Sequence, residues 1–433
     1  MKYECLFYFG LVIILLSGCH DSGMVNAGFL QDEQPLLNLL NQKEYFKLED
    51  RLNLAGDNIP AGEKLYFQSY IDNAFNRNEQ TIKDVDAFLK DYASGLPDSL
   101  KASLYMLQSD SYFKLYRYAK AAADDSLLLK RYSLSLDSER INDIKNYLLI
   151  RNALKPVAAQ ETIILDSETI YWNKNRIGLI EIPVIANHLQ YEGIFDTRAN
   201  ISSITETYAR RLGLRMLNVS YEERSGITGI KFKTGLGIAD SLHIGRILIR
   251  NAVFQVMPDS ILYIAPLKLT LNLIIGFPII EQLQEIHLYR NGKMFIPLIP
   301  TKSELHNFAL DGLDPVISLL SGKDTLCFHL DLGADKTILY SGYFERYTAQ
   351  TLKEGIKKTA RYGGAGGVQE KQVYVIPALH LSLGGKKITL DSVDVLSKKI
   401  FPDERFFGNL GRDFADQFDE LVFNFRYMYM KGK

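Results

Sequence analysis

One sequence pattern, present twice in the chain, constrains the fold more than any other feature. The first copy spans residues 193–204 and the second spans residues 328–339. In each copy an apolar run ends on an aspartate, Asp196 or Asp331, with an Ala three residues later and a Ser or Thr six residues later. The two aspartates are 135 residues apart (331 − 196 = 135). A fixed-period repeat indicates duplicated structural units, so the chain is predicted to contain two similar units, each with one Asp at the end of a buried strand.

A second landmark recurs in register with the first. Residues 273–277 contain Ile275 followed by Gly276, and residues 408–412 contain Leu410 followed by Gly411. Each glycine follows the Asp of its own unit by 80 residues (276 − 196 = 80 and 411 − 331 = 80). An isolated Asp-x-Gly-Ala segment is usually a polar turn after a strand, whereas two copies with matched glycines favour an internal duplication.

This arrangement resembles the aspartic peptidases of the retropepsin and pepsin kind, in which each lobe contributes an Asp-Thr-Gly-Ala loop and an apolar-apolar-Gly strand crosses behind it. The resemblance covers about residues 160–430, and the lobe length is closer to retropepsin-like units fused in tandem. It implies one β-barrel lobe over residues 156–300, a second over residues 301–433, and peptide-bond hydrolysis by Asp196 and Asp331. The other implied site residues are Thr197, Arg198, Ala199, Leu332, Gly333 and Ala334 in the loops, with Ile275, Gly276, Leu410 and Gly411 supporting them.

The chemistry implied by the resemblance depends on two carboxyl groups that share one proton. If the lobes pair about a pseudo-twofold axis, Asp196 and Asp331 meet at its centre. Like charges at that distance raise one of the two coupled pKa values. One carboxylate can then activate a water molecule while the other carboxyl protonates the scissile amide.

Two departures from the family motif leave a second function open. The family has Asp-Thr/Ser-Gly in both lobes, whereas this chain has Asp-Thr-Arg and Asp-Leu-Gly. A guanidinium at Arg198 is expected to favour ionisation of both carboxylates and to oppose proton sharing. Leu332 is expected to leave the Thr197 hydroxyl without its mirror partner, at a cost of ~1–3 kcal/mol. The chain is therefore either an aspartic endopeptidase or a catalytically impaired pseudoprotease that binds a peptide or protein.

Composition and scattered motifs exclude several other functions. The 50 Lys and Arg and 51 Asp and Glu give a net charge of −1, so no electrostatic footprint for nucleic acid is present. The seven His lack metal-ligand spacing, no Gly-x-Ser-x-Gly occurs, and Cys327 has no evident His partner. The glycine-rich residues 363–367 lack the ending of a phosphate loop and are predicted to form a hairpin. We expect no cofactor, no metal and no nucleic-acid partner, and a structural role for His329.

Residues 1–19 resemble a bacterial lipoprotein signal. Lys2 precedes an apolar run of twelve residues from Cys5 to Leu16, and the run ends in Leu-Ser-Gly-Cys with Cys19 at the position of the lipidated cysteine. The run is too short to span a bilayer comfortably. The resemblance implies a protein of the bacterial cell envelope, facing the periplasm or the surface and anchored by lipid at Cys19. An uncleaved anchor or an ordinary signal peptide is the alternative.

Residues 30–155 are predicted to be entirely helical. Few glycines occur, and leucines recur at helical spacing, for example at Leu104 and Leu107. The segment 111–121 resembles the helix-turn-helix of a tetratricopeptide repeat, in which a Tyr, here Tyr112, packs under a small Ala nine residues later. About three helix pairs are expected. This TPR-like domain either binds a protein partner or acts as a spacer or cap.

The helical pattern stops near Pro156, and the remainder is strand-rich, so the fold class is multidomain, α followed by all-β. A hairpin over residues 177–195 is expected to deliver the first Asp, followed by a helix over residues 205–212. Residues 221–237 are predicted to form a mobile hairpin, and residues 362–368 a second one. In the resembled family, a hairpin at this position closes over an extended polypeptide substrate.

Overall fold

The computed structural model describes residues 7–9, 30, 33–225, 228–400 and 404–433. These residues form a helical N-terminal part followed by β-rich sheets, which confirms the predicted order of α and β structure.

Two compact units make up the described chain. The helical unit extends to Ala159 and also includes Ala309–Gly312. The β unit comprises Gln160–Phe308 and Leu313–Lys433. Of the predicted signal segment, the structure describes only a short strand, β1 (Phe7–Phe9), and Cys19 lies outside the described residues. No helix within the described ranges is long and apolar enough to cross a membrane.

The described helical unit contains seven α-helices. They are α1 (Gln34–Asn41), α2 (Tyr45–Ala55), α3 (Ala61–Ala74), α4 (Asn78–Asp91), α5 (Asp98–Lys114), α6 (Tyr118–Arg131) and α7 (Ser138–Leu154). Three turns between helices share one geometry, because Lys43, Asn76 and Tyr116 each have a left-handed φ of 55–58° two residues before the next helix begins. Tyr112 and Ala121 pack in the same cluster as Ile82.

The first β lobe contains fifteen strands and two short helices in the described chain. They are β2 (Glu161–Ile163), β3 (Glu168–Tyr171), β4 (Asn173–Lys174), β5 (Ile180–Ala186), β6 (Leu189–Phe195), β7 (Ser202–Thr205), α8 (Glu206–Arg211), β8 (Arg215–Met216), β9 (Tyr221–Arg224), β10 (Lys231–Ile244), β11 (Ile247–Met257), β12 (Tyr263–Ile264), β13 (Leu269–Thr270), β14 (Leu273–Ile275), α9 (Phe277–Glu281), β15 (Glu285–Tyr289) and β16 (Lys293–Ile296).

The second β lobe follows the same plan. Its elements are β17 (Phe308–Asp311), β18 (Asp314–Ser321), β19 (Asp324–Leu330), β20 (Ile338–Leu339), α10 (Ser341–Arg346), α11 (Thr348–Glu354), β21 (Ile356–Gly364), β22 (Gly367–Leu383), β23 (Lys386–Leu396), β24 (Gly408–Leu410), α12 (Arg412–Ala415), β25 (Glu420–Asn424) and β26 (Tyr429–Gly432).

Six strands of each lobe pair in the same order and direction. The first lobe has the order β11-β7-β14-β6-β5-β10, and the second has β23-β20-β24-β19-β18-β22. In both, the ends of the row pair with each other, as β10 with β11 and β22 with β23. The strand before each Asp is parallel to the strand behind it, as β6 to β14 and β19 to β24. The 135-residue repeat of the sequence therefore corresponds to a repeat of six strands.

A separate five-stranded sheet joins the lobes. Its order is β26-β25-β15-β16-β3, so β25 of the second lobe pairs with β15 of the first. His287 of β15 lies between two carboxylates, with ring nitrogens 2.7 Å from Glu285 Oε1 and 2.7 Å from Glu420 Oε1. The hydrogen bond between His287 and Glu420 thus reinforces the backbone pairing of the two lobes.

Some strand boundaries differ from those that the sequence predicts. Three short strands are predicted between residues 241 and 256, but the structure has two long strands, β10 and β11. The ladder continues on both sides of Asn251, with Ser241 paired to Arg250 and Ala239 paired to Ala252. A polar residue with a positive φ of 54° interrupts the apolar pattern there without ending the strand.

Candidate active site

Each Asp of the repeat is held from behind by the strand that carries the downstream glycine. Asp196 follows β6, and its backbone N–H donates to the Ile275 carbonyl at 3.0 Å. Asp331 follows β19, and its backbone N–H donates to the Leu410 carbonyl at 2.9 Å. The strands β14 and β24 therefore fix the point at which each carboxyl group leaves its sheet.

The alanines and glycines of the two landmarks allow close backbone packing. The carbonyls of Ala199 and Ala334 accept equivalent 2.8 Å hydrogen bonds from the backbone N–H groups of Phe277 and Arg412. A Cβ on Gly276 would lie 2.4 Å from the Ala199 carbonyl oxygen, closer than real Cβ atoms approach. A Cβ on Gly411 would lie 2.6 Å from the backbone of the second loop. Any side chain at either glycine would force loop and strand apart.

The hydroxyl six residues after each Asp completes this support. The Gly276 N–H donates to Ser202 Oγ at 2.9 Å, and the Gly411 N–H donates to Thr337 Oγ1 at 3.1 Å. Thr337 in turn donates to Asp413 Oδ1 at 2.7 Å. The Ser or Thr of the repeat therefore ties each Asp loop to the strand behind it.

The structure brings the two Asp loops into direct contact. A Cβ on Gly333 would lie 2.3 Å from Asp196 Cγ, so the second loop has no room for a side chain at that position. Asp196 and Asp331 are both completely buried. The pairing of the two lobes thus creates one buried site that contains both carboxyl groups.

The Thr197 hydroxyl crosses from the first loop to the second. It donates to the Leu330 carbonyl at 2.9 Å and accepts from the Leu332 N–H at 3.0 Å. Leu332 offers no mirror hydroxyl, as expected, but the expected cost of an unmet Thr197 hydroxyl is absent, because the partners of Thr197 are backbone groups. Leu332 itself is completely buried and returns no side-chain hydrogen bond to the first loop.

Arg198 also crosses into the second lobe. Its guanidinium donates to the Tyr340 hydroxyl at 3.0 Å, to Asn409 Oδ1 at 3.1 Å and to Asp314 Oδ2 at 3.4 Å. Burial raises the pKa of Tyr340 to about 12, so its hydroxyl is a neutral partner. Burial disfavours the charged guanidinium, but Tyr340 and Asp314 more than offset this and raise the pKa of Arg198. Arg198 is thus a buried cation whose nearest anionic hydrogen-bond partner is Asp314.

Asn409 connects Arg198 to the two carboxyl groups of Asp196 and Asp331, which together are called the dyad. Its Nδ2 donates to Asp331 Oδ2 at 2.8 Å while its Oδ1 accepts from Arg198. Asp196 Oδ1 accepts from the Arg198 backbone N–H at 2.9 Å. The remaining oxygens, Asp196 Oδ2 and Asp331 Oδ1, are buried and make no hydrogen bond within the described parts of the chain. One oxygen of each carboxyl group is therefore held by a hydrogen bond, and the other has no hydrogen bond to a described residue.

Burial keeps the pKa of both carboxyl groups above the ordinary range. The pKa of Asp196 is raised well above its usual value by burial and by the charge of Asp331. Burial also raises the pKa of Asp331, although the Arg198 charge and the Asn409 hydrogen bond partly offset it. The Arg198 charge lowers the pKa of both carboxyl groups, as expected. The cost of burial outweighs it, so both pKa values remain above the ordinary range and proton sharing is not opposed.

Two hairpin tips meet next to the dyad loops. The Thr228 hydroxyl, beyond β9, donates to the Ala365 carbonyl between β21 and β22 at 2.9 Å. The Gly366 N–H donates to the Ile261 carbonyl at 2.8 Å. Ala365 packs in the same apolar cluster as Ala199. The predicted hairpins are thus present, and the second one closes onto the first lobe.

Asp314, Tyr340 and Asn409 are site residues that the sequence interpretation misses. A position-by-position comparison of the two repeats contains the signal. At the 135-residue offset, Asp314 corresponds to Leu179 (314 − 135 = 179) and Asn409 corresponds to Ile274 (409 − 135 = 274). Arg198 corresponds in the same way to Gly333. Asp314 and Arg198 thus carry opposite charges at positions where the other copy has an apolar residue or a glycine. Such a pair indicates a contact between the two copies.

His329 and Cys327, which precede Asp331 on β19, both lie in the interior. The His329 ring packs edge-on against the Phe406 ring, with the ring centroids 4.5 Å apart. Cys327 is buried. No group of three or more His, Cys, Asp or Glu among the described residues is placed to hold a metal ion.

Comparison with known proteins gives one kind of similarity. No protein-family model matches the chain, and no curated protein matches it. Among solved structures, the chain is similar to a retropepsin-like aspartic protease from Rickettsia conorii. The identity is 17%, the TM-score is 0.21, and the match covers 32% of this chain and 94% of the other. At this TM-score we base the proposed function on the residues of this chain alone.

Thr197→Val tests the hydrogen bonds that cross between the loops. The substitution keeps the side-chain shape but removes the bonds to Leu330 and Leu332, and it leaves a buried backbone N–H and carbonyl unpaired. We expect a loss of ~1–3 kcal/mol in the free energy of unfolding, measured by chemical denaturation. The control is Thr169→Val at an exposed strand position, which should change stability by less than about 0.5 kcal/mol. Equal effects of the two substitutions would contradict the cross-loop bonds.

Gly333→Ala tests the contact between the second loop and Asp196. A methyl group 2.3 Å from Asp196 Cγ must displace the buried Asp196 carboxyl or one of the loops, so we expect a loss of ~1–3 kcal/mol in stability. The control is Gly342→Ala in α10, where the nearest atom to an added Cβ lies at 3.8 Å. We expect this control to be neutral or slightly stabilising. Thermal denaturation of both variants decides the matter, and a neutral Gly333→Ala would show that the loops lie further apart.

Proposed function

We propose that the β unit is an aspartic-type endopeptidase with Asp196 and Asp331 as its catalytic dyad. The observation that carries this proposal is the pair of anchored carboxyl groups, each with one buried oxygen that no described residue binds. Both pKa values are raised by burial, which favours a proton held between two carboxyls over two separate charges. Thr197, Gly333 and the supporting strands would hold that geometry during the reaction.

The proposed reaction needs only the dyad and water. The ionised carboxylate removes a proton from water as the water oxygen attacks the peptide carbonyl carbon. The protonated carboxyl gives its proton to the carbonyl oxygen, which produces a gem-diol. The first carboxyl then donates its proton to the amide nitrogen, the C–N bond breaks, and the second carboxyl recovers a proton from a gem-diol hydroxyl. Protons balance over the cycle, and no covalent intermediate with the enzyme forms.

The hairpin contacts suggest how a polypeptide would reach the dyad. Both carboxyl groups are fully buried, so substrate entry requires the contact of Thr228 with Ala365 to open. Among the described residues, a few hydrogen bonds join the tips, whereas the sheets are held by continuous strand pairing. An extended peptide would then replace the contact between the tips and pair with the hairpin strands.

A second candidate function is a pseudoprotease that binds a polypeptide without cutting it. Arg198 and Leu332 favour it, because the dyad loops differ from each other and a buried cation lies nearby. Arg198→Gly combined with Leu332→Thr is the obvious reversion, but it would remove the guanidinium that Asp314 binds. Direct assays of the unmodified protein therefore discriminate better than a reverted variant.

The proposals for the rest of the chain concern partners and location. The helical unit is proposed to be TPR-like and to bind a protein partner, which the three matching turns and the packing of Tyr112 on Ala121 support. The proposed location is the bacterial cell envelope, with the chain anchored in a membrane by lipid on Cys19. The sequence of residues 1–19 alone supports this location.

Hydrolysis of a peptide library across pH tests the proposed function. We expect cleavage that pepstatin inhibits and that falls by about 10²–10⁴-fold in Asp196→Asn and in Asp331→Asn, because each variant lacks one proton-transfer group. Asp391→Asn, at an exposed position of β23, is the control and should cleave normally. Cleavage that survives both dyad substitutions would contradict the mechanism. Saturable binding of library peptides without cleavage would favour the pseudoprotease.

A further inference from the structure

The two halves of the proposed dyad have different surroundings. Asp331 faces the Arg198 guanidinium, the Asn409 amide, and the more distant Asp314 and Tyr340. The position that matches Asn409 in the first lobe is Ile274, and the position that matches Arg198 in the second is Gly333. Asp196 therefore has neither an equivalent amide from its own lobe nor an equivalent cation from the opposite lobe. Its neighbours are its own loop backbone and the Asp331 carboxyl, and the Arg198 charge is the smallest of the influences on it, whereas that charge is the largest of those that favour ionisation of Asp331.

The orientation of the Asn409 amide follows from the chemistry of Arg198. A guanidinium has hydrogen-bond donors and no acceptor, so the group of Asn409 that faces Arg198 must be the carbonyl oxygen. The amide nitrogen must then face Asp331, where it donates to Oδ2 at 2.8 Å. A hydrogen bond donated to a carboxylate favours its charged form. Arg198 thereby fixes a donor on Asp331 in addition to acting through its own charge.

Asp314 prevents Arg198 from acting as a simple counter-ion of the dyad. The Arg198 Nη2 donates to Asp314 Oδ2 at 3.4 Å, and both side chains are almost completely buried. The net charge of this pair is zero, so it does not require both dyad carboxyls to ionise. The local arrangement nevertheless favours a negative charge on Asp331, since Asn409 and the guanidinium lie on its side of the site.

We propose that Arg198 and Asn409 are positioning residues that fix the charge state of the dyad, with Asp331 ionised and Asp196 protonated. This inference rests on the proposed dyad and assigns its roles. Asp331 takes the proton from water, and Asp196 gives its proton to the peptide carbonyl oxygen. The departure of Arg198 from the family motif is then a device that orders the two carboxyls and leaves the chemistry intact.

Carboxyl titration of the full-length protein tests this assignment without any substrate. The protein is labelled with ¹³Cγ-aspartate, and the two dyad signals are identified by their loss in Asp196→Asn and Asp331→Asn. We expect the Asp331 signal to titrate at lower pH than the Asp196 signal. The reverse order would overturn the proposal, whatever the result of a peptidase assay. A protein that shows the expected order but cleaves nothing would overturn the endopeptidase function only.

Two variants separate the role of Asn409 from general packing. Asn409→Leu keeps the side-chain size but removes the donor to Asp331, and we expect the Asp331 signal to shift to higher pH and approach that of Asp196. Tyr340→Phe removes another neutral partner of the same guanidinium, and we expect a smaller shift. An unchanged Asp331 signal in Asn409→Leu, or equal shifts in both variants, would overturn the role of Asn409. If Asn409→Leu does not fold, the titration order in the unmodified protein still decides the assignment.

Discussion

The insertion of one loop into the opposite lobe is the contact on which the rest of the site depends. Thr197 and Arg198 are consecutive residues, and both bond to the second lobe. Thr197 uses backbone groups that any residue provides, so the contact tolerates Leu332 opposite it. Arg198 bonds to side chains, so its contacts depend on which residues stand opposite it. The duplicated fold is nearly symmetric, but the side-chain hydrogen bonds of Thr197 and Arg198 to the second lobe are not returned by Leu332 and Gly333, whose side chains have no polar atom.

The protein tolerates this asymmetry because the buried charges near the dyad are either paired with an opposite charge or removed by a proton. A buried guanidinium without an anion would cost several kcal/mol, and Asp314 provides the anion at the position where the first lobe has Leu179. The two carboxyls of the dyad limit the cost in a different way, since their raised pKa values allow a proton to remove one charge. Burial beneath the hairpin tips strengthens these interactions by excluding water. Stability and chemistry at this site therefore depend on the same few contacts.

The sequence predicts the α-then-β order because helical and strand periodicities are local properties. The repeat also singles out Gly276, Gly333 and Gly411, and in the structure an added Cβ would collide with backbone atoms at Gly276 and Gly411 and with the Asp196 carboxyl at Gly333. The partners of Thr197 and Arg198 are not predictable in this way, because they lie more than 100 residues away along the chain. In the family motif the position of Arg198 holds a glycine, so the sequence indicates only that this glycine is missing. In the structure, Arg198 forms hydrogen bonds to the second lobe. Only a comparison of the two copies with each other would pair Arg198 with Asp314.

The central claim is that Asp196 and Asp331 share one buried environment. A double-mutant cycle measures this directly, using the free energies of unfolding of Asp196→Asn, Asp331→Asn and the double variant at about pH 8 and about pH 3. At the higher pH the two carboxyls share one proton or repel each other, and either single substitution removes that interaction, so we predict non-additive effects with a coupling of ~0.5–3 kcal/mol. At the lower pH both carboxyls are protonated, and the coupling should largely disappear. Additive effects at both pH values would contradict a shared dyad.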